Sequence, residues 1–151
     1  KAVHYFQATG LPTVADDSGL EVDALDGAPG VRTKRFAPGE DLEGEARDLA
    51  NNEHLLELLR GRPISERGAR YVCVAALALG AEAEAVAFFR GEAPGRVLEA
   101  PRGRGGFGYD PVILDEVSGR SFAELTSEEK NERSHRGRAF RALGEALRRA
   151  R

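Results

Sequence analysis

Cysteine is almost absent. Cys73 is the only one, so no disulfide can staple the chain, and its place in an apolar run reads as packing, not as a thiol nucleophile. A reducing compartment fits. No apolar run approaches the roughly 20 residues of a membrane span, and no signal-peptide pattern is visible. The expectation is a soluble, cytoplasmic protein without a membrane partner. An excess of positive charge is lacking too, since 22 Lys and Arg stand against 25 Asp and Glu, a net charge of −3. That balance gives no reason to expect a nucleic-acid polymer as partner. Internal repeats and low-complexity linkers are missing as well, so the Gly and Pro clusters at 27 to 30, 61 to 63, 91 to 95 and 101 to 108 read as turns within one domain. A domain of 151 residues buries roughly 70% of its unfolded surface, enough for a core without staples.

The periodicities that are present point to an α/β protein with a mixed sheet. Lys1 to Phe6 look like the middle of a helix. Thr13 to Ala15 and Leu20 to Ala24 read as short strands, with Asp16-Asp17-Ser18-Gly19 as a turn between them. Residues 41 to 60 place Leu42, Ala46, Leu49, Leu56 and Leu59 at near-helical spacing before Gly61. Tyr71 to Leu79 and Ala85 to Phe89 suggest a hairpin with its first strand buried, Arg96 to Glu99 a third strand, and Val112 to Leu114 another. Thr126 with Glu129 forms a capping-box pattern, and Ser134 suits the cap of a terminal helix whose stripe is Ala139, Phe140, Leu143, Ala146 and Leu147.

Three constellations carry chemistry. Asp16 and Asp17 offer hard oxygens suited to Mg²⁺ and phosphate, but neighbours on extended chain point to opposite faces. Only one of the two is expected to meet a metal or an attacking water, unless the turn folds both inward; the other braces the loop. Gly105-Gly106-Phe107-Gly108-Tyr109-Asp110-Pro111 is the second, a loop whose glycines let backbone approach a ligand and whose rings can stack on a base. Gly103, Gly105 and Gly108 also satisfy a dinucleotide-binding pattern, which fails because a strand and not a helix follows. The basic, glycine and aromatic start of an RNA-recognition strand fails at Asp110-Pro111. Lys130 with Ser134-His135-Arg136 is the third, donors of different geometry that suit oxygen acceptors.

Taken in order, four blocks resemble the inosine triphosphate pyrophosphatase family: Ala15 to Leu20, Gly27 to Val31, Gly105 to Pro111, and Glu129-Lys130-Asn131 leading to Ser134-His135-Arg136. The resemblance spans nearly the whole chain. It implies an elongated, two-lobed mixed sheet with flanking helices, and hydrolysis of ITP, dITP or XTP to the monophosphate and pyrophosphate, with Mg²⁺ as cofactor and a homodimer as assembly. It also implies roles: Asp17 as proton acceptor and metal ligand, Ser18 as a substrate contact, and Phe107, Gly108, Tyr109 and Asp110 as the base-binding loop. There Phe107 would stack on the purine and Asp110 would bond its edge. Lys130, His135 and Arg136 would supply the remaining substrate contacts, Arg136 and His135 facing the 6-oxo group that distinguishes hypoxanthine and xanthine from adenine.

The family's N-terminal Ser/Thr-Gly-Asn-x-x-Lys loop and its Glu-Asn-Ala segment have no counterpart here. Lys1-Ala2 matches the pair that directly follows the latter, which places about 50 residues of the family pattern upstream. The expectation is an N-terminally incomplete pyrophosphatase domain over residues 1–151, weak or inactive by itself. Arg35 matches a family arginine, within a stretch more basic than usual. A non-catalytic module that binds single-stranded RNA or a nucleotide is the competing reading, and the net acidity weighs against the RNA version.

Overall fold

The computed structural model describes residues 1–39 and 41–149. Six strands form one sheet: Thr13–Val22 (β1), Pro29–Gly30 (β2), Gly68–Ala78 (β3), Val86–Val97 (β4), Ile113–Asp115 (β5) and Arg120–Ser121 (β6). Their order across the sheet is β2-β1-β3-β4-β5-β6, and every strand pair among the described residues is antiparallel, so the sheet described is antiparallel where the sequence suggested a mixed one. Helices Ala2–Thr9 (α1), Gly44–Leu58 (α2), Ser127–Arg133 (α3) and His135–Arg149 (α4) complete the α/β class expected from the sequence. None of the described helices is long and apolar enough to cross a membrane.

The expected turn at Ser18-Gly19 does not form. β1 runs unbroken through it, paired with β3 from Thr13 opposite Ala78 to Val22 opposite Ala69. A full-length ladder outweighs the local turn preference of Asp-Ser-Gly, because strand propensity yields to context. Gly19 has its own reason to be glycine: a Cβ there would stand 2.5 Å from the Gly30 carbonyl oxygen of β2. Strand alternation then sorts the acids, with Asp16, Ser18, Leu20 and Val22 on one face and Asp17 and Gly19 on the other.

No separate strand forms at Arg96 to Glu99, because β4 continues through Gly91, Pro94 and Gly95 as far as Val97. Those residues read as punctuation in the sequence, yet Gly91 marks a close approach instead. A Cβ at Gly91 would collide with the His135 carbonyl oxygen and come within 2.5 Å of the Ala139 amide nitrogen, so glycine seats the start of α4 directly on the sheet.

Two apolar clusters lie on the Leu20 face. Leu20, Val22, Tyr71, Ile113 and Phe122 pack with Leu55 and Leu59, while Cys73, Ala75 and Leu77 pack with Ala139 and Leu143 of α4. Leu55 and Leu59 are fully buried and contribute about 2 kcal/mol each, which sets the rotation of α2. That rotation differs from the expected leucine stripe: Leu49 is exposed, and Arg47, Asn51 and Asn52 are buried beside Leu55. Backbone groups meet most of their polar atoms, although Asn52 Oδ1 is left without a partner. Arg47 donates to the Ala37 and Leu42 carbonyls at 3.0 and 3.1 Å, and Asn51 accepts the Ala37 amide at 2.8 Å. The stripe on α4 is narrower than expected, with Ala139 and Leu143 buried but Phe140 and Leu147 exposed. Both predicted caps form: Thr126 and Glu129 exchange bonds at α3, and Ser134 Oγ accepts the Gly137 amide at 3.0 Å.

Candidate active site

The glycine-aromatic loop is held open by side chains from three other segments. α2 carries Asp48 and Asn52 one turn apart, so both face the loop. Asp48 accepts the Gly108 N–H at 2.7 Å, and Asn52 donates to the Gly108 carbonyl at 3.0 Å. The backbone of one residue is gripped on both sides, through the two peptide groups that flank its Cα. Tyr109 is buried and its hydroxyl donates to the Thr33 carbonyl at 2.8 Å, which makes it an anchor and leaves Phe107 as the exposed ring. Burial pushes the Tyr109 phenol up, so it stays a donor.

Asp110 is the hub beneath that ring. Its Oδ2 accepts the Phe107 N–H at 2.8 Å and ion-pairs with Lys130, while Oδ1 accepts the Tyr71 hydroxyl at 3.3 Å. The carboxylate is only 5% exposed, so both oxygens are engaged within the protein. Gly106 sits at φ +76°, where a Cβ would run into this carboxylate; only glycine closes the turn. Lys130 Nζ in turn lies 4.5 Å from the Phe107 ring centroid, a cation over one face of the ring.

At the start of α4, His135 stacks on Tyr71 with ring centroids 5.0 Å apart and planes at 17°. Burial, then the nearby charges of Arg136 and Lys130, lower the His135 pKa to about 4. The ring is therefore neutral at pH 7 and can donate from one nitrogen and accept at the other. Arg136 is half-exposed and its Nε donates to Asp16 Oδ2 at 2.9 Å, which ties α4 to β1. Among the described residues Ser18 Oγ, Asn52 Oδ1, Arg133 Nε and His135 Nδ1 are buried without a hydrogen-bond partner. Buried polar groups are normally paired, so these atoms are open to a water or a ligand atom.

The neutral His135 has a consequence for stability. Its folded pKa of about 4 lies below the ordinary 6.5, so the unfolded chain takes up the proton first as pH falls. This contribution is full above pH 6.5 and is lost between there and about 4, up to roughly 3 kcal/mol before screening at the partly exposed ring. In His135→Gln, urea midpoints measured from pH 7 to 4 should fall less steeply than in the wild type. Parallel curves would show that His135 is not the group titrating.

Of the residues singled out in the sequence, Ser18, Phe107, Gly108, Tyr109, Asp110, Lys130, His135 and Arg136 belong to one connected region. Asp17 stands apart from it. Its side chain points to the other face of the sheet, is 76% exposed, and among the described residues meets only Lys1 Nζ, at 3.7 Å. The sequence reading missed Asp48 and Asn52 because polar residues on a helix read as a solvated face; their spacing by four was the available signal. It also passed over Tyr71, the one hydroxyl in a buried apolar strand. A cavity of about 910 Å³, lined by Lys34, Arg35, Arg47 and Asp48 among others, adjoins the anchor of the loop.

Comparison with known proteins matches this arrangement to one family. The model of the Ham1 family matches residues 1–146. A dITP/XTP pyrophosphatase of Thermus thermophilus is 50% identical over 147 residues, covering 97% of this chain and 67% of the relative. One from Yersinia pseudotuberculosis is 47% identical over 148 residues, covering 98% of this chain and 73% of its own length. Among solved structures, a HAM1 protein from Coxiella burnetii superimposes with a TM-score of 0.89 at 39% identity, over 98% of this chain and 73% of that one. The Ham1 protein of Staphylococcus aureus gives 0.85 at 34% identity, over 96% of this chain and 71% of that one. The chain belongs to the Ham1 family.

Proposed function

We propose that this protein hydrolyses deaminated purine nucleoside triphosphates, ITP, dITP and XTP, to the monophosphate and pyrophosphate. The observation that carries the reading is the convergence of Phe107, Lys130 and His135 on a loop pinned by Asp110 and Asp48, with Arg136 next to His135 at the head of α4 and tied to Asp16. The names of its relatives support it. Phe107 has an exposed ring for a purine to stack on, and Arg136 and neutral His135 supply hydrogen bonds to a 6-oxo group. Adenine carries a 6-amino donor there and would leave those donors unpaired. Sites built on such bonds discriminate by up to roughly 10⁴-fold. Asp110, with both oxygens engaged, holds Lys130 and the loop in place; to bond the base edge it would exchange one of those partners.

Asp17 is assigned to the other end of the substrate: it faces away from the base loop, but β1 pairs with β2 only at Leu20 and Glu21, so among the described residues the edge of β1 at Asp17 is open for a triphosphate to pass around it. Its carboxylate is open to solvent, with one distant partner, and Mg²⁺ typically binds one or two carboxylates together with substrate phosphates and water. Among the described residues no three His, Cys, Asp or Glu side chains converge into a cage. When bound, Mg²⁺ offsets phosphate charge. Asp17 orients a water and takes its proton as the water oxygen attacks the α-phosphorus; the α-phosphorus to bridging-oxygen bond breaks and pyrophosphate leaves. Lys34 and Arg35 offer further positive charge toward phosphate. A homodimer and a cytoplasmic setting complete the proposal.

The test is pyrophosphate release from ITP and ATP with and without Mg²⁺. Mg²⁺-dependent release from ITP in large excess over ATP is expected. Nucleotide binding without release would favour a binding module.

A further inference from the structure

Asp16 is the acid that the strand turns toward the base site, and its Oδ2 is engaged by two side chains. Oδ2 accepts Arg136 Nε at 2.9 Å and faces the Cys73 thiol, whose Sγ lies at 3.7 Å. The bond to Arg136 joins residues 120 apart in sequence and is the contact through which β1 meets the head of α4. A carboxylate held by a guanidinium is a poor candidate for a metal, since the cation already there repels a second one. Its geometry favours a different task. An arginine bound through Nε is held at the root of its fork, and among the described residues neither Nη1 nor Nη2 of Arg136 has a protein partner. The two terminal nitrogens are presented together, with the fork's rotation set from behind.

We infer that Asp16 is a positioning residue for base selection: it fixes Arg136 so that its free nitrogens meet the 6-oxo group of the substrate, and it takes no part in metal binding or in the cleavage step. The inference rests on the proposed deaminated-purine reading. It assigns the adjacent acids of β1 to two jobs, Asp17 to the phosphates and Asp16 to the base. Cys73 stabilises the arrangement as a weak donor; burial pushes its thiol up, so it remains protonated at neutral pH. The Asp16 side chain is 27% exposed and Arg136 50% exposed, so the pair is worth less than a buried one, and its effect should be read in selectivity more than in stability.

A double-mutant cycle separates the alternatives. The ratio of kcat/KM for ITP over ATP is measured for wild type, Asp16→Ala, Asp16→Asn, Arg136→Ala and the Asp16→Ala/Arg136→Ala double variant, with circular dichroism to confirm folding. Asp16→Ala should lower the ratio about tenfold, the scale of one hydrogen bond to a charged group. Asp16→Asn, which keeps an acceptor but not the charge, should fall between wild type and Asp16→Ala. Adding Asp16→Ala to Arg136→Ala should change the ratio no further, because residues acting through one contact are not additive. An equal loss of ITP and ATP turnover with the ratio intact would place Asp16 in the chemistry and overturn the inference. Multiplying effects in the double variant would also overturn it. Binding of IMP and AMP, followed by calorimetry on the same proteins, needs no turnover: a preference for IMP that survives Asp16→Ala contradicts the inference. Wild type that releases no pyrophosphate from ITP would instead strike at the proposed activity.

Discussion

Asp110→Ala is expected to unfold about 8 °C below the wild type and to raise the KM for ITP by at least an order of magnitude. The carboxylate is buried and answers three donors: the Phe107 N–H, the Tyr71 hydroxyl and the Lys130 ammonium. Removing it leaves all three facing a hole. Breaking a buried ion pair from one side costs about 3 to 5 kcal/mol, and the lower figure applies because Lys130 keeps 22% of its side chain in solvent. At about 2 to 4 °C per kcal/mol for a domain of this size, the shift is several degrees. The binding loss has a separate cause. Without the anchor at Phe107 N–H, the turn that includes Gly106 opens, and the ring and Lys130 no longer sit 4.5 Å apart. Asp110→Asn should lie between, since one amide oxygen can still accept while its NH₂ faces a donor. If Asp110 served only the substrate, the alanine variant would bind poorly and melt normally, and calorimetry separates these outcomes.

The hub also shows what could be read from sequence and what could not. Gly105 to Asp110 stood out as a ligand-facing loop because glycine, aromatic and carboxylate residues rarely share a core, and the caps at Thr126 and Ser134 were legible because a cap is a local bond. The partners of the loop were not legible. Asp48 and Asn52 lie 60 and 56 residues from Gly108, and nothing in their own neighbourhood distinguishes them from solvated helix residues. The same holds for β1, where Asp-Ser-Gly is a fair turn signal in isolation and is overruled by ten residues of pairing with β3. That one correction decides the site. A turn could have folded Asp16 and Asp17 to one side, whereas a continuous strand must separate them.

Asp17→Asn should therefore leave the fold almost untouched while reducing turnover of ITP by roughly 10² to 10⁴, the usual span for loss of a positioned base. Stability should change by no more than about 0.5 kcal/mol, because the side chain is 76% exposed and its one ion pair, with Lys1 at 3.7 Å, is of the kind that contributes little. Separation of the two quantities is what identifies the role. A structural acid on a strand would lose both or neither. Asparagine keeps the size and one acceptor oxygen but cannot take a proton and is a weaker ligand for Mg²⁺, so the loss should appear in kcat and in the Mg²⁺ dependence, with the ITP over ATP ratio preserved. The contrast with Asp16→Ala is the sharper result. Neighbours on one strand, about 3.3 Å apart along the chain, should give opposite signatures, rate without selectivity for Asp17 and selectivity without metal dependence for Asp16. Unchanged turnover in Asp17→Asn would remove it from the chemistry and leave the hydrolysis without its base.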